Sequence, residues 1–185
     1  YSFKDLNLPN ADVIQALIAC YKYWIAACDF DGFRMDTITN TEPSAAADFC
    51  NAVREFCRSI GKDNFLIYAE IIDGDEKLLK YIGRNTPIEG AGEKYPFFNA
   101  CLDFPLYFIL EEVIKGFKSP AELRDRYARF DRFYRDFSEA GRYFVTFVDN
   151  HDQMARPYRR FMNNVKDWRQ AVLAIGYLLC NMGIP

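Results

Sequence analysis

Four short apolar runs, each followed by a longer stretch with apolar residues at every third or fourth position, limit this chain to very few folds. The runs are FDGFRMD at 30–36, FLIYAE at 65–70, FNACLDF at 98–104 and RYFVTFV at 142–148. Strands that are apolar with little alternation are covered on both faces, and strand–helix repetition makes them parallel. A helix over 10–27 starts at a candidate N-cap, Asn10, with Val13, Leu17, Cys20 and Trp24 on one face. A second opens at Ser44, repeats apolar residues at 46, 49, 50, 53, 56, 57 and 60, and closes on Gly61. A short helix is expected near 75–82, another after Pro105, and an amphipathic one over 119–137 with Ser119 as cap and Pro120 at the first helical position. The last covers 167–181, and Ile184 can begin one more strand. A complete eight-unit barrel takes roughly 250 residues. The fold class is therefore α/β, a partial (β/α)8 TIM barrel of about strands 4 to 8 with their helices. Tyr1 and the closing NMGIP both cut into the pattern, so residues 1–185 are expected to be a fragment of one such domain.

The strand ends carry the chemistry. Run 30–36 finishes on Asp36, run 65–70 on Glu70, and run 142–148 leads into DNHD, Asp149 to Asp152. In parallel sheets and barrels the strand C-termini share one face, where sites are built. Side chains alternate along a strand, so Arg34 and Asp36 share a face. Alone, that pair also fits a structural ion pair. With acids from three strands and the only histidine, His151, on the same rim, a reactive site is the better reading. Two carboxylates flanking one bond are what glycoside hydrolysis requires, and their environments must push their proton affinities apart. Arg34 favours the charged form of Asp36, which suits a nucleophile. Glu70 ends an apolar run with no adjacent cation, so desolvation favours its protonated form, which suits a general acid.

Together DGFRMD, IYAE and FVDNHD, in this order on separate strands, resemble the second, third and fourth signature regions of the α-amylase superfamily, glycoside hydrolase family 13. LDFPL before a helix and the closing GIP are similar to its sixth- and eighth-strand segments. The resemblance implies a retaining α-glycosidase acting on starch-like glucans or short α-gluco-oligosaccharides. It makes Asp36 the nucleophile, Glu70 the acid/base, and Asp152 the third carboxylate, which binds sugar hydroxyls and stabilises the transition state. Arg34 would hold Asp36, and His151 would bond the same sugar ring. Asn40, preceded by Thr39, stands where many amylases have a histidine preceded by lysine, a position on the leaving-group side. HDQMARPYRR is similar to a segment of oligosaccharide-acting members, which makes Arg156 a candidate sugar contact. Asp149 is read equally as structural or functional. Tyr95, Phe97 and Phe98 are read as packing residues before subsite residues.

The family's first signature region, its first strands and its inserted domain find no counterpart here. Any calcium site would need those parts, so no metal and no cofactor is expected in this chain. A transglycosylase, such as a glucanotransferase or a sucrose-acting enzyme, would use the same acids. A noncatalytic glycan-binding half-barrel is a third reading, but it has no chemical need for all three carboxylates.

The formal net charge of −3 leaves no basic footprint for nucleic acid. No run approaches the roughly 18 uninterrupted apolar residues of a membrane span. The expected partner is an α-glucan or oligosaccharide, with self-association through the open barrel edge. The cysteines at 20, 28, 50, 57, 101 and 180 show neither C-x-x-C nor zinc spacing and are expected to be reduced and buried, which favours a cytoplasmic setting.

Overall fold

The computed structural model describes residues 4–82, 97–130, 141–152 and 160–185. Helix α1 (Ala11–Cys28) begins where the Asn10 side chain accepts the Asp12 N–H, and it ends on Asp29 in the left-handed conformation. β1 (Gly32–Met35) leads into a 3-10 turn at Ile38–Asn40 and α2 (Pro43–Ser59), which closes before Gly61 at φ 81°. β2 (Leu66–Ala69), α3 (Asp75–Tyr81), β3 (Ala100–Leu102) and α4 (Phe104–Ile114) follow. α5 (Ala121–Ala128), β4 (Phe144–Val145) and α6 (Arg169–Cys180) complete the described elements.

The strands form one parallel sheet in the order β1-β2-β3-β4, and a parallel bridge from Val145 to Ile184 adds a fifth position beside β4. This is a partial (β/α) barrel. Helices α1 and α2 cover the β1–β2 side through Ile14, Ile18, Ile25, Phe49, Cys50 and Val53, packed in one core with Ile67, Ala69 and Cys101. The β1–β2 contact is tight enough to need glycine: a Cβ on Gly32 would meet the Leu66 carbonyl at 2.6 Å. At the other edge a Cβ on Gly183 would lie 2.4 Å from the Thr146 methyl carbon. No helix among the described residues is long and apolar enough to cross a membrane.

A buried ion cluster ties the helix starts together at the strand C-termini. Arg126 of α5 is wholly buried and donates to both oxygens of Asp103 (3.0 and 2.7 Å) and to Asp75 Oδ1 (2.8 Å). Asp103 caps α4 by accepting the Leu106 N–H at 3.0 Å, and Asp75 lies in the first turn of α3. Facing carboxylates and the Phe130 ring 4.9 Å away offset the cost of burying the guanidinium.

Several expectations need correction. The buried face of α1 is Ile14, Ile18 and Ile25, while Cys20 and Trp24 are exposed. The helix is apolar nearly all round, so periodicity does not select one stripe. Cys50, Cys57 and Cys101 are buried, but Cys20, Cys28 and Cys180 are exposed, because α1 and α6 turn those faces outward; all six are free thiols. The fourth strand is only Phe144–Val145, shorter than the 142–148 run. Pro120 caps α5 instead of opening it, and the Ser119 hydroxyl accepts the Ala121 N–H. The expected continuation of that helix through 131–137 lies outside the described residues.

Candidate active site

Register brings the first two acids together. Met35 pairs with Ala69, so Asp36 and Glu70, one residue beyond each, leave the sheet side by side. The Glu70 N–H still donates to the Met35 carbonyl (2.8 Å), and its own carbonyl accepts the Ile38 N–H (3.2 Å), which holds the crossing from β1 into the 3-10 turn over the end of β2. Thr37 sits between them in the left-handed conformation, φ 43° and ψ 46°. A β-branched residue is rarely found there, at a cost of about 1–3 kcal/mol. In that conformation its N–H donates to Glu70 Oε2 (3.1 Å) and its hydroxyl donates to Asp36 Oδ2 (3.1 Å). Nothing in the sequence announced Thr37 as part of the site.

Arg34 stands at the centre. Its guanidinium lies 3.1 Å from Asp36 Oδ1, 2.8 Å from Glu70 Oε1 and 3.8 Å from Asp152 Oδ2. The nitrogen facing Glu70 makes no well-aligned hydrogen bond. His151 Nε2 is 3.1 Å from Asp152 Oδ2. The structure thus collects Arg34, Asp36, Glu70, His151 and Asp152 on one rim. Asn40, at the end of the 3-10 turn, is exposed just beyond Asp36. Arg156 and Tyr95 lie outside the described residues. Phe97 and Phe98 pack on the core, and Asp149 accepts the N–H groups of Asn150 (2.8 Å) and Phe161 (3.3 Å), a structural use.

The two central carboxyls differ in their surroundings. Asp36 is open, with 70% of its side chain exposed, whereas Glu70 keeps only 6%. Burial pushes the Glu70 carboxyl above its ordinary value, and its hydrogen bond to Asp36 reinforces this against the Thr37 N–H and Arg34. The neighbouring Glu70 is the main cause holding Asp36 below the usual carboxylate range; desolvation opposes it, and the Thr37 hydroxyl and Arg34 add smaller lowering effects. Two expectations change. A cation does stand beside Glu70, and desolvation prevails over it; Arg34 is a secondary cause of the ionisation of Asp36. β1 is also only half buried, since among the described residues it pairs with β2 alone.

A family model for the "Alpha amylase, catalytic domain" matches residues 1–185. The chain belongs to the α-amylase catalytic-domain family. The beta/alpha-amylase of Paenibacillus polymyxa is 30% identical over 189 residues, which covers 98% of this chain and 13% of that protein. A cyclomaltodextrin glucanotransferase of Klebsiella oxytoca is 28% identical, over 84% of this chain and 23% of its own length. Among solved structures, the α-amylase of Geobacillus thermoleovorans complexed with acarbose superposes with a TM-score of 0.70 at 28% identity, covering 98% of this chain and 36% of that one. This α-amylase-family chain therefore spans well under half of each relative. Asp36 and Glu70 stand at the ends of neighbouring parallel strands, which is the arrangement the barrel fold provides.

Proposed function

We propose that the protein containing this chain hydrolyses α-glucosidic bonds in starch-like glucans or short α-gluco-oligosaccharides with retention of configuration. The observation that carries this reading is that the Met35–Ala69 register sets an exposed Asp36 and a buried Glu70 side by side about Arg34. The ionised, exposed Asp36 attacks the anomeric carbon. The buried, protonated Glu70 delivers its proton to the departing glycosidic oxygen, and a covalent glycosyl-enzyme forms on Asp36. Glu70, now a carboxylate, takes a proton from water, and the hydroxide displaces the sugar from Asp36. Asp152, with His151 at 3.1 Å, binds hydroxyls of the same sugar ring. Retention calls for the Asp36 and Glu70 carboxyls to stand roughly 5–5.5 Å apart about the scissile bond, against roughly 6.5–9.5 Å in inverting enzymes.

Proton NMR of the first-formed product tests the stereochemistry: the α-anomer is expected, and an initial β-anomer would overturn the double displacement. The glucanotransferase relative favours one further reading, in which a second sugar replaces water in the second step. Product analysis with and without added acceptor sugar separates the two, since a transferase yields elongated or cyclised products where a hydrolase yields reducing ends.

For the 185-residue chain by itself we expect self-association and little or no glycosidase activity. The outer edge of β1 carries unpaired backbone groups among the described residues. Apolar side chains on α6 (Val172, Leu173, Ile175, Leu179) and α1 (Tyr23, Trp24) are exposed. Light scattering and an α-glucoside assay on the purified chain check this. A monodisperse monomer with ordinary turnover is the contrary result.

A further inference from the structure

Asp152 lies well past the end of the sheet. β4 stops at Val145, and the last sheet bonds there run from the Asp103 N–H to the Val145 carbonyl (2.9 Å) and from the Thr146 N–H to the Ile184 carbonyl (2.8 Å). Segment 149–152 is instead held by residues 160 and 161. The Phe161 N–H donates to Asp149 Oδ2 at 3.3 Å. The Arg160 guanidinium donates to the Asn150 carbonyl and lies 3.7 Å from Asp149 Oδ1. Asn150 in turn accepts the Asp152 N–H on its side-chain oxygen.

The 160–163 stretch has its own anchor, Lys115, just past the end of α4. Its side chain is 0% exposed, and its ammonium donates to Glu111 Oε1 (2.7 Å) and to the Asn163 carbonyl (2.8 Å), 5.0 Å over the Phe161 ring. An apolar residue would serve a purely packing role there at lower desolvation cost. The ammonium fixes what an apolar side chain could not, a backbone carbonyl and a ring face on the far strap. We infer that Lys115 is a positioning residue for Asp152: through Asn163, Phe161 and Asp149 it holds the third carboxylate beside Arg34.

This rests on the proposed function, because it assigns Asp152 to sugar hydroxyls. The test uses Lys115→Met/Glu111→Gln in the full-length protein, so that no charge of the pair is left buried and alone. The kcat/KM for maltooligosaccharide is expected to fall between about ten- and a hundredfold, the effect of a small displacement of a reacting group. KM should rise as well as kcat fall. A simple loss of folded protein lowers kcat and leaves KM unchanged, so parental kinetics, or an unchanged KM, overturns the inference. If the double variant does not fold, Asp149→Asn reads the same link at an exposed position, with the same split expected and parental kinetics again the overturning result. Asp152→Asn serves as the control. Near-parental turnover in it overturns the functional reading and this inference with it, whereas severe loss there beside an unaffected Lys115→Met/Glu111→Gln overturns the positioning alone.

Discussion

Asp36→Asn in the full-length protein is expected to abolish turnover, by a factor of at least about 10³. The amide matches the carboxylate in shape but cannot attack the anomeric carbon. Because 70% of the Asp36 side chain is exposed, the change tests chemistry and not folding. Its neighbours can adapt: the Thr37 hydroxyl can donate to the amide oxygen, and Arg34 still pairs with Glu70. Circular dichroism should therefore show a parental melt while the reducing-sugar assay falls to background. Turnover within about tenfold of the parent would remove Asp36 from the nucleophile's role.

Glu70→Gln should separate substrates by leaving group. Oligosaccharides depart as alkoxides and need a proton, so the loss there should be roughly 10²–10⁴-fold. Aryl glycosides with acidic phenols need little help and should lose far less in the glycosylation step. An equal loss on both would exclude Glu70 as the acid. The pH profile carries the same information. Asp36 must be ionised, so activity falls as pH drops through its lowered pKa; Glu70 must be protonated, so activity falls as pH rises through its raised one. The active window lies between, wider than two ordinary carboxyls would give, and its limbs belong to the pair. In Glu70→Gln the alkaline limb should disappear, because the amide does not titrate.

Much of this arrangement could be read from residue order. Acids at the ends of apolar runs sit on one rim whenever the runs are parallel strands, and that brought Asp36 and Glu70 together; Asp152, past the end of β4, also depends on the bonds from residues 160 and 161. What the sequence lacked was lateral information. The contact of Arg34 with Glu70 depends on the pairing of Met35 with Ala69, and no residue of either strand encodes that register by itself. The left-handed Thr37 was invisible because nothing about a threonine suggests that backbone. In α1 the missed face has a simple cause: with apolar residues around the whole circumference, packing against α2 chose Ile14, Ile18 and Ile25. β4 is short, and past it residues 149 and 150 are held by the Phe161 N–H and the Arg160 guanidinium instead of by a neighbouring strand.

The sheet is assembled as a row, each strand beside the next in sequence. Rows held only by neighbour contacts come apart piecemeal, since disorder in one unit is felt only by the units beside it. Two buried cations work against that. Arg126 reaches back 51 residues to Asp75, across β3 and α4, and Lys115 reaches forward 48 residues to Asn163, across α5 and β4. Each is a cross-tie that adds a buried charged contact to the join between one strand–helix unit and its neighbour. They span the part of the row where strands are two or three residues long and the ladder is weakest. Melting of that part should accordingly be shared, with α3, β3, α4, α5 and β4 losing structure together instead of strand by strand.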